Sequence, residues 1–204
     1  MSKANELKFL NVPVVISNLF YSEKFHPKIT GLKFIVGPLP IIKLWKKIMP
    51  HAKKVVILGG VNNDFSVYLI NQFEKQAKKS GYEILKIYRI KYAYEWKEAI
   101  LEINKSKADF ILGGLWLDIK MRNGKTQTPE EYDNMRYWIC RNTNKGVCTF
   151  INSTVVRGLT IGLCSDDEFS IGDEIADIMI KILSGKKVEE IPVKVPRSLY
   201  ISVN

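Results

Sequence analysis

Residues 55–88 read VVILGGVNNDFSVYLINQFEKQAKKSGYEILKIY. The apolar run at 55–58 is closed by two glycines, which is typical of a buried parallel strand. The segment 65–79 repeats apolar residues at helical spacing, with Phe65, Leu69, Ile70, Phe73 and Ala77 on one stripe. Gly81 supplies a helix stop, and a second strand is predicted at 83–88. The stretch is therefore a strand-helix-strand unit.

The same alternation continues on both sides of this unit. A helix is predicted at 41–49, another at 94–104, and strands at 12–17 and 109–112. Thr128, Pro129 and Glu131 have the spacing of a capping box with proline at the first helical position, so a further helix is predicted from there to about residue 142. The pattern predicts an α/β fold: parallel sheets covered by helices on both faces.

Composition excludes several classes of protein. The chain has 204 residues, 46% of them apolar, which suffices for one good core or two small ones. The net charge of +10 comes mostly from lysines on helix flanks, whereas a nucleic-acid groove needs arginines and aromatics clustered together. The sequence has no run of about 18 apolar residues, so no membrane-spanning helix is predicted. The first residues lack the pattern of a secretory signal, which leaves open a cytoplasmic chain or a mature or excised piece.

Candidate binding residues follow the predicted strands, because ligands of doubly wound sheets bind beyond the carboxyl ends of the strands. The loops to consider are 17–20, 60–66, 113–118 and 152–158, all rich in Asn, Ser, Asp or aromatic residues. Phe20 and Trp116 fall just past strand ends, where an aromatic ring can stack on a ligand. Simple packing beneath a loop is the alternative for both rings.

Enzyme motifs fail on spacing. Gly124-Lys125-Thr126 resembles the end of a phosphate-binding loop, but Ile119 stands where that loop needs its first glycine. The glycine pairs after the strands belong to no dinucleotide fingerprint, and the histidines and three cysteines have no catalytic or metal-ligand spacing. No catalytic residue, metal or cofactor is predicted. An α/β enzyme stays open only because this fold class hosts many chemistries.

Several further motifs together carry a resemblance to a known family. These are NVPVV at 11–15, KITGL at 28–32, WKKIMPHAKKV at 45–55, the polar NNDFS at 62–66, and a tail with GKK at 185–187 and IPV at 191–193. In this order they resemble the substrate-binding proteins of ABC transporters. Each motif alone is only moderately specific, but together they extend over nearly the whole chain.

The resemblance implies a type I periplasmic-binding-protein fold, with two lobes closing on a small solute such as an amino acid, without catalysis. Carried over position by position, it implies ligand contacts from both lobes, and Asp118 would suit a ligand ammonium group. We expect Asp118→Ala and Asn152→Ala to weaken binding with little loss of stability, since both lie on loops. The candidate ligand-binding residues are Ser17, Asn18, Phe20, Asn62, Asn63, Ser66, Trp116, Asp118, Asn152 and Ser153.

The family's usual first strand-helix units before NVPVV are missing here. We therefore expect a complete second lobe from 32–151 and 191–204, and an incomplete first lobe from 1–31 and 152–190, whose apolar surface is either exposed or paired with a second copy. The implied location is extracytoplasmic, and the implied partner is a membrane permease. Because the segment 118–142 looks more like versions fused ahead of signalling modules, an extracytoplasmic ligand-sensing domain is the alternative.

Overall fold

The computed structural model describes residues 12–19, 27–33, 38–114, 116, 118–149, 161–164, 168–195 and 200–203. The chain divides into two compact units. The first comprises Met1–Val36 and Cys164–Tyr200, and the second comprises Gly37–Leu163 and Ile201–Asn204.

The first unit contains a pair of parallel strands and a long helix. Strand β1 (Val14–Leu19) pairs with β2 (Ile29–Lys33), and Gly31 has a positive φ of 142°, where a Cβ would overlap with the backbone of Ile16. A helix at Glu168–Leu183, here α5, follows later in the chain. Leu32, Ile178 and Ile191 form the buried cluster that joins strand, helix and the segment beyond it.

A buried ion pair and a hydrogen bond add polar links within the first unit. Lys194 Nζ lies 3.1 Å from a carboxylate oxygen of the buried Glu174, and the Thr30 hydroxyl donates to the carbonyl of Ile191 at 2.7 Å. Residues 191–195 therefore pack with the first unit. The resemblance predicts that 191–204 belong to the second lobe, but the limit between the units lies further along the chain.

The second unit is a doubly wound sheet. Its strands are β3 (Lys54–Gly60), β4 (Glu83–Ile90), β5 (Phe110–Gly113), β6 (Gly146–Thr149), β7 (Ile161–Cys164) and β8 (Tyr200–Val203). They lie in the order β4-β3-β5-β6-β7-β8, and the pairings from β4 to β7 are parallel. The sequence pattern predicts that the strand near 161 belongs to the first lobe, but Ile161 pairs with Cys148 of β6. Hydrophobic pattern alone does not show which sheet a strand joins.

Helices cover both faces of this sheet, as predicted. They are α1 (Pro38–Ile48), α2 (Asp64–Lys79), α3 (Ala93–Lys105) and α4 (Pro129–Asn142). On one face Trp45 of α1 packs on Phe110, with ring centroids 4.9 Å apart; on the other, Trp96 of α3 meets Trp116 edge-to-face at 4.3 Å. Alternate residues of β3 serve the two faces, which explains why the whole strand is apolar.

The predicted start of α4 is confirmed. Thr128 Oγ1 accepts from the N–H of Glu131, and the Glu131 carboxylate accepts from the N–H of Thr128 at 2.8 Å. Pro129 occupies the first turn. Among the described residues, no helix combines the length and the apolar character needed to cross a membrane.

Candidate functional site

The order in which successive strands are added to the sheet reverses between β4 and β5, on the two sides of β3. From β3 the chain goes outward to β4, then returns past β3 to β5, which pairs with β3 through Leu58 and Gly113. A crevice forms at such a switch point, outside the carboxyl ends of the two strands. The loops that follow β3 and β5 meet there.

Five of the predicted ligand-binding residues come from these two loops and from the first turn of α2, which follows the first loop. We call them the switch-point rim: Asn62, Asn63, Ser66, Trp116 and Asp118. Hydrogen bonds across more than fifty residues of sequence tie the loops together. The N–H groups of Asn62 and Asn63 donate to Asp118 Oδ2 at 2.7 and 3.1 Å, and Asn62 Nδ2 donates to the Asp118 carbonyl at 2.8 Å.

Asp118 is enclosed where it makes these bonds. Its Oδ1 is buried, and it lies so close to Gly60 that a Cβ there would overlap with it. Burial raises the pKa of the Asp118 carboxyl, and hydrogen bonds from the N–H of Asn62 and the hydroxyl of Ser66 only partly oppose that rise. In this structure the carboxylate orders the loop after β3, and its pairing with a ligand ammonium group stays a prediction.

The two asparagines keep unused groups. Asn62 Nδ2 also donates to the carbonyl of Lys91 at 2.8 Å, which leaves its Oδ1 without a protein donor in the described part of the chain. Asn63 Oδ1 caps α2 by accepting from the N–H of Ser66 at 2.8 Å, which leaves Nδ2 unused on an exposed side chain. The rim therefore offers an acceptor and a donor side by side in sequence.

Ser66 and Trp116 are too buried for their side chains to contact a ligand at the surface. Ser66 is fully buried at the first turn of α2. Trp116 is 2% exposed and belongs to the core under α3, with its Nε1–H at 3.5 Å from the Leu58 carbonyl. Of the two alternatives for Trp116, packing beneath the loop is what this structure shows.

The other predicted residues belong to the first unit or are not described. Ser17 lies exposed on β1. For Asn18 only the backbone position in β1 is described, and Phe20, Asn152 and Ser153 lie outside the described residues.

The loop after β4 also reaches the rim, although it is not among the loops predicted from the sequence. Lys91 supplies the carbonyl that holds Asn62, and Tyr92 begins α3 beside it. This loop was not predicted because the pattern places the end of the strand at residue 88, whereas β4 continues to Ile90. No group of three or more His, Cys, Asp or Glu side chains within the described ranges is arranged to hold a metal ion.

Several solved structures are similar in fold to this chain. The ligand-free, open structure of a substrate binding protein with adhesive properties from Clostridium difficile matches 95% of this chain at 17% identity, with a TM-score of 0.74. A periplasmic ribose ABC transporter structure from Conexibacter woesei matches 98% at 16% identity and a TM-score of 0.62. An ABC domain in complex with L-Trp from Streptococcus pneumonia matches 87% at 17% identity and 0.58.

These likenesses show the fold: the chain has the periplasmic-binding-protein fold found in ABC-transporter substrate-binding proteins, as the sequence resemblance predicts. It spans 64% of the length of the Clostridium protein, 68% of the Conexibacter protein and 57% of the Streptococcus protein. No protein-family model and no curated protein matches the sequence.

Proposed function

We propose that this chain binds a small solute, without chemical change, as part of the substrate-binding component of an ABC transporter. The switch-point rim supports this proposal, because polar side chains from two loops meet at the edge of the sheet where this class of fold binds ligands. The names of the similar structures support it further, since they describe proteins that bind substrates such as L-Trp or serve ribose transport.

The chemistry of the rim favours an amino acid as the solute. Within the described residues, Asn62 Oδ1 has no donor and suits an ammonium group, and Asn63 Nδ2 has no acceptor and suits a carboxylate. An amino acid carries both groups on one carbon. The implied partner is a membrane permease, and the implied location is extracytoplasmic.

Isothermal titration of the chain with the common amino acids, and with ribose as a comparison, tests the proposal. We expect heat from one or a few amino acids and none from ribose. If no amino acid produces heat or raises the melting temperature, the proposal is wrong for this chain. If ribose alone binds, solute binding is right but the solute class is wrong.

Asn63→Asp locates the ligand. The substitution keeps the oxygen that caps α2 and replaces the unused donor Nδ2 with a negatively charged oxygen, so the fold should be retained. We expect binding of the amino acid to weaken about tenfold, because its carboxylate loses a donor and meets a like charge. Asn123→Asp is the matched control, since Asn123 Oδ1 also accepts from a backbone N–H, that of Lys125, but in a turn away from the rim. Equal affinity of Asn63→Asp and the parent chain would exclude Asn63 from the site.

A ligand-sensing domain linked to a signalling module is the alternative function. The segment 118–142 favours it, because its sequence resembles versions of the family that are fused ahead of signalling modules. The first part of this segment forms a turn, joined by the bridge between Tyr92 and Lys120 to the start of α3 and closed by the bridge between Lys120 and Thr126. Neighbouring genes separate the two functions. Genes for a permease and an ATPase support transport, whereas a kinase or cyclase supports sensing.

A further inference from the structure

The amino edge of the sheet in the second unit, where its parallel strands begin, lies opposite the switch-point rim. Helices α1 to α4 end at this edge, because each of them leads back to the start of a strand. The last turns of α1, α2 and α3 contain lysines, and further lysines stand shortly before β3, β5 and β6. We call this surface the basic edge: Lys47, Lys53, Lys79, Lys105, Lys107 and Lys145.

Contacts between segments that are distant in sequence show that the basic edge is one surface. Lys46 Nζ donates to the carbonyl of Ser80 at 3.0 Å, which ties the end of α1 to the end of α2. Asp109 Oδ2 accepts from the N–H of Lys53 at 2.7 Å, which ties the start of β5 to the segment before β3. The pairing of the first residues of β5 and β6 sets Lys145 beside Asp109.

The carboxylates near the basic edge are engaged elsewhere. Ion pairs join Lys54 to Glu83, Lys78 to Glu74, and Lys86 to Glu102. The Asp109 carboxylate accepts from two backbone N–H groups. Within the described ranges, none of the six lysines of the basic edge forms an ion pair. The basic edge therefore has an excess of positive charge.

This excess is a property of one edge of the sheet. The carboxyl edge has acids among its bases: Asp64, Glu95 and Glu131 as well as Lys91, Arg122 and Lys125. The seven residues of β3 separate the two edges by about 20 Å, which is about twice the Debye length in 0.1 M salt. A negatively charged surface therefore attracts the amino edge more strongly than the carboxyl edge.

The dipoles of the helices explain only part of this charge. A lysine in the last turn of a helix is stabilised by the negative end of the helix dipole, which accounts for Lys47, Lys79 and Lys105. The three lysines that precede strands have no such partner. Their presence at the same edge points to an anionic partner outside the chain.

Two apolar side chains lie exposed among these lysines. Ile48, at the end of α1, is 50% exposed, and Met49 beside it is 37% exposed. The sequence KKIMPHAKK at 46–54 places lysines on both sides of the pair. In a surface that lies on an anionic bilayer, apolar side chains enter the headgroup region while lysines meet the phosphates. A soluble polyanion would use the lysines but would gain little from Ile48 and Met49.

We propose that the basic edge docks on an anionic lipid bilayer, with Ile48 and Met49 in the headgroup region and the lysines against the lipid phosphates. Docking of this kind is reversible and weakens as salt screens the charges. The docked chain turns its switch-point rim away from the lipid. Docking is independent of the solute that the rim binds.

Pelleting with lipid vesicles tests the proposal. One set of vesicles contains phosphatidylcholine with about 30% phosphatidylglycerol, and the other contains phosphatidylcholine alone. We expect the chain to pellet with the anionic vesicles in about 0.1 M salt and to be released from them in about 0.5 M salt. With phosphatidylcholine alone it should stay in solution.

Two pairs of lysine variants separate the basic edge from net charge. Lys47→Glu with Lys79→Glu should weaken binding to the anionic vesicles at least about tenfold, because two attractions become repulsions. Lys120→Glu with Lys125→Glu makes the same change in net charge at the carboxyl edge, and it should weaken binding less than about threefold. All four lysines are exposed, so both variants should fold, which thermal melting checks.

An apolar variant separates a bilayer from a soluble polyanion. Ile48→Ser with Met49→Ser should weaken binding to the anionic vesicles about tenfold. It should leave unchanged the salt concentration at which the chain elutes from a heparin column, because heparin offers charge without an apolar layer. Tyr94→Ser, at a residue that is 46% exposed in the first turn of α3, is the control and should change neither measurement.

Three results would overturn the proposal. The first is the absence of pelleting with the anionic vesicles in about 0.1 M salt. The second is equal weakening by the two pairs of lysine variants, which would show that net charge acts and that the basic edge has no special part. The third is unchanged pelleting of Ile48→Ser with Met49→Ser, which would mean that the lysines attract polyanions in general. Failure of amino acids to bind at the rim would leave the docking surface unaffected.

Discussion

The two ends of β5 each have an aspartate that clamps the strand beside it, and the two clamps differ in their electrostatics. Before β5, Asp109 Oδ2 accepts from the N–H groups of Lys53 and Lys54 at 2.7 and 2.8 Å. After β5, Asp118 Oδ2 accepts from the N–H groups of Asn62 and Asn63 at nearly the same distances. The pairs of backbone donors are alike, but the pKa of Asp109 is lowered and that of Asp118 is raised.

The surroundings of each carboxylate explain this difference. At Asp109 the N–H of Lys54 outweighs burial, and the charge of Lys145 adds to the lowering of the pKa. At Asp118 burial dominates, because the carboxylate is pressed against Gly60. At the carboxyl edge of the sheet, enclosure therefore disfavours the ionised form of Asp118, which lowers the stability of the folded chain when this group is charged. Groups of that kind are concentrated at functional sites.

The largest effect is expected from Gly60→Ala, because the added methyl group fills the space that the Asp118 carboxylate occupies. The new Cβ would overlap with Asp118 Oδ1, so the loop must shift. We expect the free energy of unfolding to fall by about 2–3 kcal/mol, measured by urea denaturation. Gly172→Ala in α5 is the control, since no atom lies within 4 Å of its added Cβ, and it should stabilise by about 0.5–1 kcal/mol.

A double variant tests whether the overlap is the cause. Combining Gly60→Ala with Asp118→Ala removes the oxygen that the new Cβ meets, so the pair should cost less than the sum of the single variants. If the two effects are strictly additive, Gly60→Ala destabilises the chain through contacts other than that with Asp118, and the explanation by enclosure of Asp118 is wrong.

A smaller effect is expected from truncating each aspartate by itself. Asp118→Ala leaves the N–H groups of Asn62 and Asn63 without their acceptor, and we expect a loss of about 1–2 kcal/mol in the free energy of unfolding. This revises the sequence-based expectation of little loss, because that expectation treated Asp118 as an ordinary loop residue. Asp109→Ala should cost about 0.5–1 kcal/mol, since water more readily replaces the carboxylate at the open end. A reversed order would contradict the comparison.

Local chemistry in the sequence predicted much of the second unit. The capping box at Thr128 and the helical stripe from Phe65 to Ala77 depend on neighbours a few residues apart, and both are found in the structure. The meeting of the loops at 62–63 and 118 followed from the rule that parallel strands end at one edge of a sheet.

Features that depend on distant partners could not be predicted in this way. The polarity of Asp118 predicts a group open to ligand, but its contacts with Asn62 and Gly60, more than fifty residues away, make it part of the scaffold. Trp116 follows a strand, yet the Trp96 ring draws it into the core. The lysines of the basic edge come from several separate segments, so no sequence motif predicted that they lie together.

The smallest effect, and the most direct test of the comparison, is the dependence of stability on pH. The raised pKa of Asp118 means that its contribution is fully present below the unfolded-state pKa of about 3.9 and is lost as pH rises through the higher folded value. Asp109 has a lowered pKa, so its contribution is present above about pH 3.9 and is lost as pH falls through the folded value.

Asp118→Asn and Asp109→Asn remove these two titrations while keeping the shape of each side chain. Unfolding free energies from urea titrations between about pH 3 and pH 7 should therefore differ from the parent chain with opposite slopes, each below about 1.4 kcal/mol per pH unit. Relative to the parent, Asp118→Asn should gain stability as pH rises, because an amide carries no charge that burial disfavours. Asp109→Asn should lose stability relative to the parent as pH rises, because it lacks the charge that Lys145 and the two N–H groups stabilise. Slopes of the same sign would show that enclosure does not distinguish the two ends of β5, and the carboxyl edge would then have no electrostatic mark of a binding site.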